Sequence, residues 1–378
     1  MRILFIPLPA IGHAFPMVPL AWALRNAGHE VTFLAGLGAV EVRNAGLPVV
    51  DAESEADAFS RKLTGNPELF TSAAHLTAAE RAALQPAAVR VWDGPHDHVV
   101  AQAKRCAPDL VVVDPVYNAG YVAAAVLGVP AVSHNYALTR YSPELVRANA
   151  PEAFEHHGVD LPARTAQLDV GPAGLMGPGK SDWQMRYIPY NGGGLLPPWL
   201  FEPPGAPRIA ISLGVPLPHR SGADRFTHIL DAAAETRAEF ALTMNAEAAS
   251  RLGVLPPNVR VVGWLPLYQL LRTCTAIVHH GGPGTMFSAI AAGIPQLVVP
   301  DGADYHFNAE ALHDYGCGLT CASGQVDADL LTTLAHDVRL RAAAQRLRED
   351  MERLPTPSDL VGEIVDFARP RPQRRTVP

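Results

Sequence analysis

The sequence predicts an α/β protein of two similar halves, each a parallel β-sheet covered by helices, with a cleft between them. Three observations predict it. Short apolar runs alternate with helically spaced segments along nearly the whole chain, which is the pattern of βαβ units. A proline-rich break, Leu196-Pro-Pro-Trp-Leu-Phe-Glu-Pro-Pro-Gly205, interrupts the alternation, and the same rhythm resumes after it. The length of 378 residues suits about two domains.

The first half opens as strand, turn, helix. Arg2–Ile6 is an apolar run suited to a buried parallel strand. Pro7 to Phe15 is expected to be irregular, because prolines and glycines punctuate it. A helix can begin at Pro16, with Met17, Val18, Leu20, Ala21 and Leu24 at helical spacing, and Gly28 ends it. Strands are expected at Glu30–Leu34, Leu47–Val50, Asp109–Val113 and Pro130–Ser133, with an alanine-rich helix at Tyr117–Leu127. Residues 53–92 and 140–183 break the rhythm and read as polar, partly helical insertions at the ligand-facing edge.

After the break, strands are expected at Arg208–Leu213, Glu239–Thr243, Val259–Val262, Ala276–His279 and Gln296–Val299. The helices between and after them are Ala223–Thr236, Leu267–Thr273, Thr285–Ala292, Phe307–Tyr315, Asp327–Ala335 and Leu340–Arg353. The expected division is residues 1–196, a linker at 197–207, a second domain at 208–355, and a C-terminal segment at 356–378. That segment carries a helix near Leu360–Ala368, expected to return to the first domain before a frayed tail. Two such halves leave a cleft, a preferred place for a ligand.

Composition narrows the function. With 48% hydrophobic and 18% charged residues, the chain has enough apolar material for two cores. The net charge of −7 and the lack of a basic face argue against nucleic-acid binding; the one basic cluster, Arg369 to Arg375, reads as a solvated terminus. No uncharged run approaches the roughly 18 residues of a membrane span. Cys106, Cys274, Cys317 and Cys321 form no CxxC pair and fit reduced thiols, so a cytoplasmic protein is expected. Asp93-Gly-Pro-His-Asp-His98 lacks the ligand spacing of known metal sites, and His156-His157 reads as a helix end.

The strongest chemical signal is Ile277-Val-His-His-Gly-Gly-Pro-Gly-Thr285, which follows a strand and opens a helix. Glycines let a ligand approach the backbone, and a helix N-terminus offers free N–H groups and the positive end of a dipole, so the segment suits a phosphate. A tight turn with packed histidines fits the same residues. Asp304, after the next strand, either accepts hydrogen bonds from sugar hydroxyls or caps the following helix. Trp264 either stacks on a base or fills a core. In the first half, His13 follows the first strand and suits a general base, with Asp114, at the end of another strand, placed to orient its ring. A structural histidine is the alternative.

Gly12-His13 with Pro16, Leu20-Ala-Trp-Ala-Leu24 and Gly28-His-Glu-Val31 resemble the opening of the antibiotic and macrolide glycosyltransferases of family GT1. The stretch Gly263–Leu319 is similar to their donor-binding signature, including His-His-Gly-Gly-x-Gly-Thr, Gly293-x-Pro-Gln296 and Asn308-Ala309. Tyr187-Ile-Pro-Tyr-Asn-Gly192 looks like the end of their acceptor domain. The resemblance implies the GT-B fold, two Rossmann-like domains facing each other across a cleft. It implies His13 as catalytic base and Asp114 as its supporting carboxylate. It places Gly12, Gly214, His280, Gly281, Gly282, Gly284 and Thr285 around the donor, Trp264 by the nucleobase, and Asp304 with Tyr305 by the sugar. Tyr305 and Leu267 stand where the family often has Gln, and Val215 where many members have Ser or Thr.

The implied activity is inverting, metal-independent transfer of a deoxysugar from a nucleotide diphosphate, with thymidine the expected nucleoside, to a hydroxyl of a hydrophobic polyketide-type acceptor. The nucleotide sugar is a co-substrate, and no other cofactor is expected; a homodimer is possible. C-glycosyl transfer to an aromatic carbon and a non-catalytic partner of another transferase are the alternatives. Intact His13, Asp114 and His280 weigh against the second.

Overall fold

The computed structural model describes residues 1–52, 85–177, 179–214, 223–300 and 303–370. The described residues form two parallel sheets. The first has the order β3-β2-β1-β4-β5-β6-β7 and contains β1 (Arg2–Ile6), β2 (Glu30–Ala35), β3 (Val49–Asp51), β4 (Leu110–Val113), β5 (Ala131–His134), β6 (Thr165–Asp169) and β7 (Trp183–Gln184). The second, β10-β9-β8-β11-β12-β13, contains β8 (Arg208–Ser212), β9 (Glu239–Leu242), β10 (Val259–Val261), β11 (Ala276–His279), β12 (Gln296–Val298) and β13 (Gly318–Thr320).

Burial explains why these runs are strands. All four residues of β4 are fully buried, as are the centres of β1 and β11, because helices cover both faces of each sheet. Phe5 and Phe33 stack at 4.8 Å between neighbouring strands β1 and β2. Helix starts are capped where the sequence supplies oxygen acceptors. Asp327 accepts from Leu330 N, and Asp337 accepts from both Arg339 N and Leu340 N.

The structure corrects the reading of residues 140–183. They do not merely decorate the edge, because β6 and β7 extend the first sheet. Residues 53–84 of the other expected insertion lie outside the described residues; Gln85–Arg90 is helical. The proline-rich linker holds a short 3-10 turn, Pro198–Phe201, since a proline is tolerated at a first helical position. Its Trp199 ring sits between the guanidinium groups of Arg208 (5.0 Å) and Arg260 (4.8 Å), which ties the linker to the second sheet.

The halves meet along a packed seam. Phe287, on helix Pro283–Ala292, is fully buried and stacks on Tyr187 at 5.0 Å. A Cβ built on Gly171 would sit 2.8 Å from that same ring, so only glycine lets the backbone after β6 pass there. Asn191 donates to Ser288 Oγ (3.1 Å) and accepts from Tyr268 N (2.9 Å). At the C-terminus, helix Val361–Ala368 brings Phe367 edge-on to Trp183 of β7 at 5.6 Å, and Arg164 donates to the Arg369 carbonyl at 2.7 Å.

Phe287→Ala removes a ring buried in the apolar cluster that both halves share. The expected loss is about 3–5 kcal/mol of stability, read from urea unfolding. A loss below about 1 kcal/mol would show that the seam closes without this ring.

Candidate active site

In each sheet the chain builds outward from a central first strand, then reverses direction. β1 lies between β2 and β4, and β8 lies between β9 and β11. At such a reversal the loops leaving adjacent strands part to opposite faces and open a crevice at the carboxyl edge. Residues after β1 and β4 line the first crevice, and residues after β8 and β11 line the second.

The chain leaving β1 is not irregular up to Phe15, as the sequence suggested. Ala10 is extended (φ −139°) and starts a helical turn, Ile11–Ala14, in which His13 N donates to Ala10 O at 3.1 Å. Pro16 has no N–H to continue that turn, so the chain tightens into a 3-10 turn, Phe15–Met17, before helix Val18–Asn26. His13 therefore projects from a helical turn. Its Nδ1 lies 2.8 Å from Asp114 Oδ2, across the crevice between β1 and β4.

Asp114 is fully buried and also accepts from Val116 N (3.0 Å) and Leu8 N (3.4 Å). A carboxylate only accepts, so the shared proton sits on Nδ1, and in the neutral ring the lone pair is then on Nε2. The His13 side chain retains 20% exposure, which leaves that lone pair within reach of a bound molecule.

The sequence reading missed Tyr136. It follows β5, and its ring lies 4.2 Å from the His13 ring, tilted by 47°. The loop carrying it is anchored below. Asn135 donates to Asp169 Oδ1 at 2.6 Å, and Arg140 donates to Asp169 Oδ2 through Nε (2.8 Å) and Nη2 (2.6 Å). Arg140 also donates to the carbonyls of Gly177 and Gly179. The Asp169 carboxylate is buried and the Arg140 side chain nearly so, and the pair is braced by these further hydrogen bonds. The signal for Tyr136 was positional, since it stands just past a strand end on the edge that binds ligands.

At the second crevice, the glycines serve the histidine. A Cβ on Gly282 would lie 2.3 Å from His280 Nε2, and a Cβ on Gly214 would lie 3.0 Å from it. These two positions leave room for the imidazole. Gly281 has a left-handed φ of +98°, and a Cβ there would also strike Tyr305. Tyr305 stands edge-on to the His280 ring at 5.0 Å, and Asn308 Nδ2 fixes the turn by donating to Gly281 O at 2.7 Å. Gly282 caps helix Pro283–Ala292, which starts before the expected Thr285, so the N–H groups of Gly284 and Thr285 fall in a first turn that supplies them no helical acceptor.

His279 faces the other way. It is fully buried, and its Nδ1 accepts from Gly281 N at 3.1 Å. Trp264 is 62% exposed, which rules out the core reading. It borders Gly192, whose Cβ position is 3.4 Å from Trp264 and 3.7 Å from Phe15, so the His13 turn and the Trp264 loop come together there. Gly12 is exposed in open space. Asp304 falls inside the first turn of helix Ala303–Tyr315, which starts before the expected Phe307, so it is not the residue that caps this helix. Its side chain, and Val215, lie outside the described part.

Two family descriptions match the chain: Erythromycin biosynthesis protein CIII-like, N-terminal domain, over residues 22–214, and the corresponding C-terminal domain over residues 227–367. The elloramycin glycosyltransferase of Streptomyces olivaceus is 36% identical, over 96% of this chain and 97% of its own. Among solved structures, the glycosyltransferase SnogD from Streptomyces nogalater superposes with a TM-score of 0.79 at 36% identity, covering 98% of this chain and 99% of its own. The spinosyn rhamnosyltransferase SpnG, complexed with thymidine diphosphate, superposes with a TM-score of 0.77 at 27% identity, covering 97% of this chain and 100% of its own. The two parallel-sheet domains seen here are the GT-B fold.

Two strand-end histidines make stability depend on pH. Burial lowers the pKa of His279 from 6.5 to about 3, and that of His134 from 6.5 to about 4. The unfolded chain therefore binds protons that the folded chain refuses. Their contribution is complete above pH 6.5 and is lost as pH falls towards those values, by about 1.4 kcal/mol per pH unit for each histidine. His279→Asn keeps an acceptor for Gly281 N–H and removes one titrating group. Urea unfolding from about pH 6 to 4.5 is expected to show a slope shallower by one proton. Parallel slopes for variant and parent would contradict the assignment.

Proposed function

The chain belongs to the Erythromycin biosynthesis protein CIII-like family of antibiotic glycosyltransferases, and on that footing we propose that it moves a deoxysugar, with inversion, from thymidine diphosphate to a hydroxyl of a polyketide-type aglycone. The observation that carries the proposal is the His13–Asp114 pair at one crevice and the His280 turn at the other. The thymidine diphosphate held by the rhamnosyltransferase SpnG supports the nucleotide. The elloramycin, spinosyn and tylactone names of the relatives support the acceptor class.

In this reading, His13 Nε2 takes the acceptor's hydroxyl proton as the oxygen attacks the anomeric carbon. The imidazolium that forms is stabilised through Nδ1 by Asp114. The C–O bond to the diphosphate breaks on the opposite side. The leaving charge is received by His280, the free N–H groups of Gly284 and Thr285, and the positive end of helix Pro283–Ala292. These donors are in place before the reaction, so no metal ion is needed to hold the diphosphate.

Trp264 stacks on the nucleobase; its exposure and its place over the seam support this role. Gly12 gives the sugar room beside His13. Asp304 and Tyr305 select the sugar. The contact between Tyr305 and His280 supports a ring next to the leaving group, where an apolar face suits a sugar position that lacks a hydroxyl. Tyr136 packs on the other side of the chemistry and holds the His13 ring to its orientation.

His13→Ala is expected to abolish transfer to phenolic and alcoholic aglycones while thymidine diphosphate still binds, as read by turnover and titration calorimetry. His280→Ala is expected to weaken that binding about tenfold to a hundredfold. Gly282→Ala, which pushes on the same ring, is expected to do likewise. Turnover near the parent rate in His13→Ala would remove the base assignment. Unchanged affinity in both other variants would remove the diphosphate assignment.

A further inference from the structure

Two short stretches left unexplained by the sequence meet in space. Asp97 begins helix Asp97–Cys106, and His156 and His157 end helix Pro151–His157. His156 Nε2 lies 2.9 Å from Asp97 Oδ1, and His157 Nε2 lies 3.8 Å from the same oxygen. One ligand atom from each of the three residues lies within 4.8 Å of the others. The two imidazole rings stand nearly perpendicular, at 87° with centroids 4.8 Å apart, so both can present a nitrogen to one point.

We propose that Asp97, His156 and His157 bind a divalent transition-metal ion, with zinc the best match, that clamps these two helices together. Two imidazoles and one carboxylate are a donor set for zinc, nickel or copper rather than for magnesium or calcium. Zinc bonds of about 2.0–2.1 Å in a tetrahedron separate neighbouring ligand atoms by roughly 3.3 Å. The two nitrogen–oxygen separations, 2.9 and 3.8 Å, bracket that value. Asp97 and His156 are exposed and His157 is mostly covered, so an ion has an open approach and a position left for water.

The scaffold beneath is rigid. Asp93, four residues before Asp97, accepts from Glu152 N (3.1 Å) and Ala153 N (3.0 Å) and so caps the start of the helix whose end carries the histidines. The segment 93–97 thus grips that helix at both ends. Between them, His96 holds a left-handed φ of +49°, with its Nε2 within 2.9 Å of Trp92 O and 2.8 Å of Asn118 Oδ1. A side chain disfavours that conformation, and here it turns the chain so that Asp97 meets the histidines. His157 Nε2 now faces Pro95 O at 2.6 Å, so an ion would exchange this hydrogen bond for a metal bond, with the proton of the neutral ring carried on Nδ1. The transfer reaction proposed above does not draw on this site, and the site does not depend on that reading.

The test uses tag-free full-length protein stripped with a chelator, then titrated with Zn2+ by calorimetry and with Co2+ by visible absorption. One equivalent is expected to bind, with the cobalt bands of a four-coordinate nitrogen–oxygen site. A hundredfold excess of Zn2+ over Kd is expected to raise the melting temperature by about 5 °C. His156→Gln, His157→Gln and Asp97→Asn, each checked for folding by circular dichroism, are expected to weaken binding at least about tenfold, while His336→Gln leaves it unchanged. No saturable binding by the parent protein, or equal affinity in the three site variants, would overturn the proposal.

Discussion

The reversal of strand order in each sheet is the constraint on which the site depends. Parallel strands buried on both faces leave few edges where a polar group can meet a ligand, and the crevice at a reversal is one of them. The first reversal puts the Pro7–His13 segment beside the end of β4, where a 2.8 Å contact joins His13 to a fully buried Asp114. The second puts Gly214 beside the turn after β11, where His280 Nδ1 faces Ser212 O at 3.4 Å. The same winding, made twice, yields a histidine paired with a buried carboxylate at one crevice and a glycine-rich helix start at the other.

The proposed reaction draws on both crevices, and the seam is what holds the two halves in register. The segment from Tyr187 to Gly194 does this with few residues. Tyr187 stacks on Phe287, Asn191 bridges to Ser288 and Tyr268, and Gly192 lies between Phe15 and Trp264. Phe287 lies in the same helix as Gly284 and Thr285, so the element proposed to offer N–H groups to the diphosphate is also the one buried against the first half.

Much of this was legible in the sequence. Long apolar runs such as Leu110–Val113 and Ala276–His279 can satisfy burial on two faces in only one way, so the central strands were readable. The strands that were missed lie on one side of each sheet, β6 and β7 in the first and β13 in the second. β6 alternates apolar and polar residues and ends in Asp169, whose charge is matched by Arg140 from another loop. β13 is three residues long, too short to show a period. The helical turn at His13 was hidden because Pro16 suggests a break, while the chain answers with a 3-10 turn. The glycine-rich signature was found, but its spacing did not show that Gly214 and Gly282 make room for the His280 ring. Tyr136 and the Asp97–His156–His157 group depend on loops and helices some 60 or more residues apart, a proximity that no local spacing encodes.

The central claim is that the two crevices form one site for a nucleotide sugar. The most direct measurement is a crystal structure of the protein soaked with thymidine diphosphate. The account predicts a base stacked on Trp264, the diphosphate within hydrogen-bond distance of His280 and of the N–H groups of Gly284 and Thr285, and the terminal phosphate directed towards His13. A nucleotide seated away from helix Pro283–Ala292, or with its phosphates turned to solvent, would contradict it.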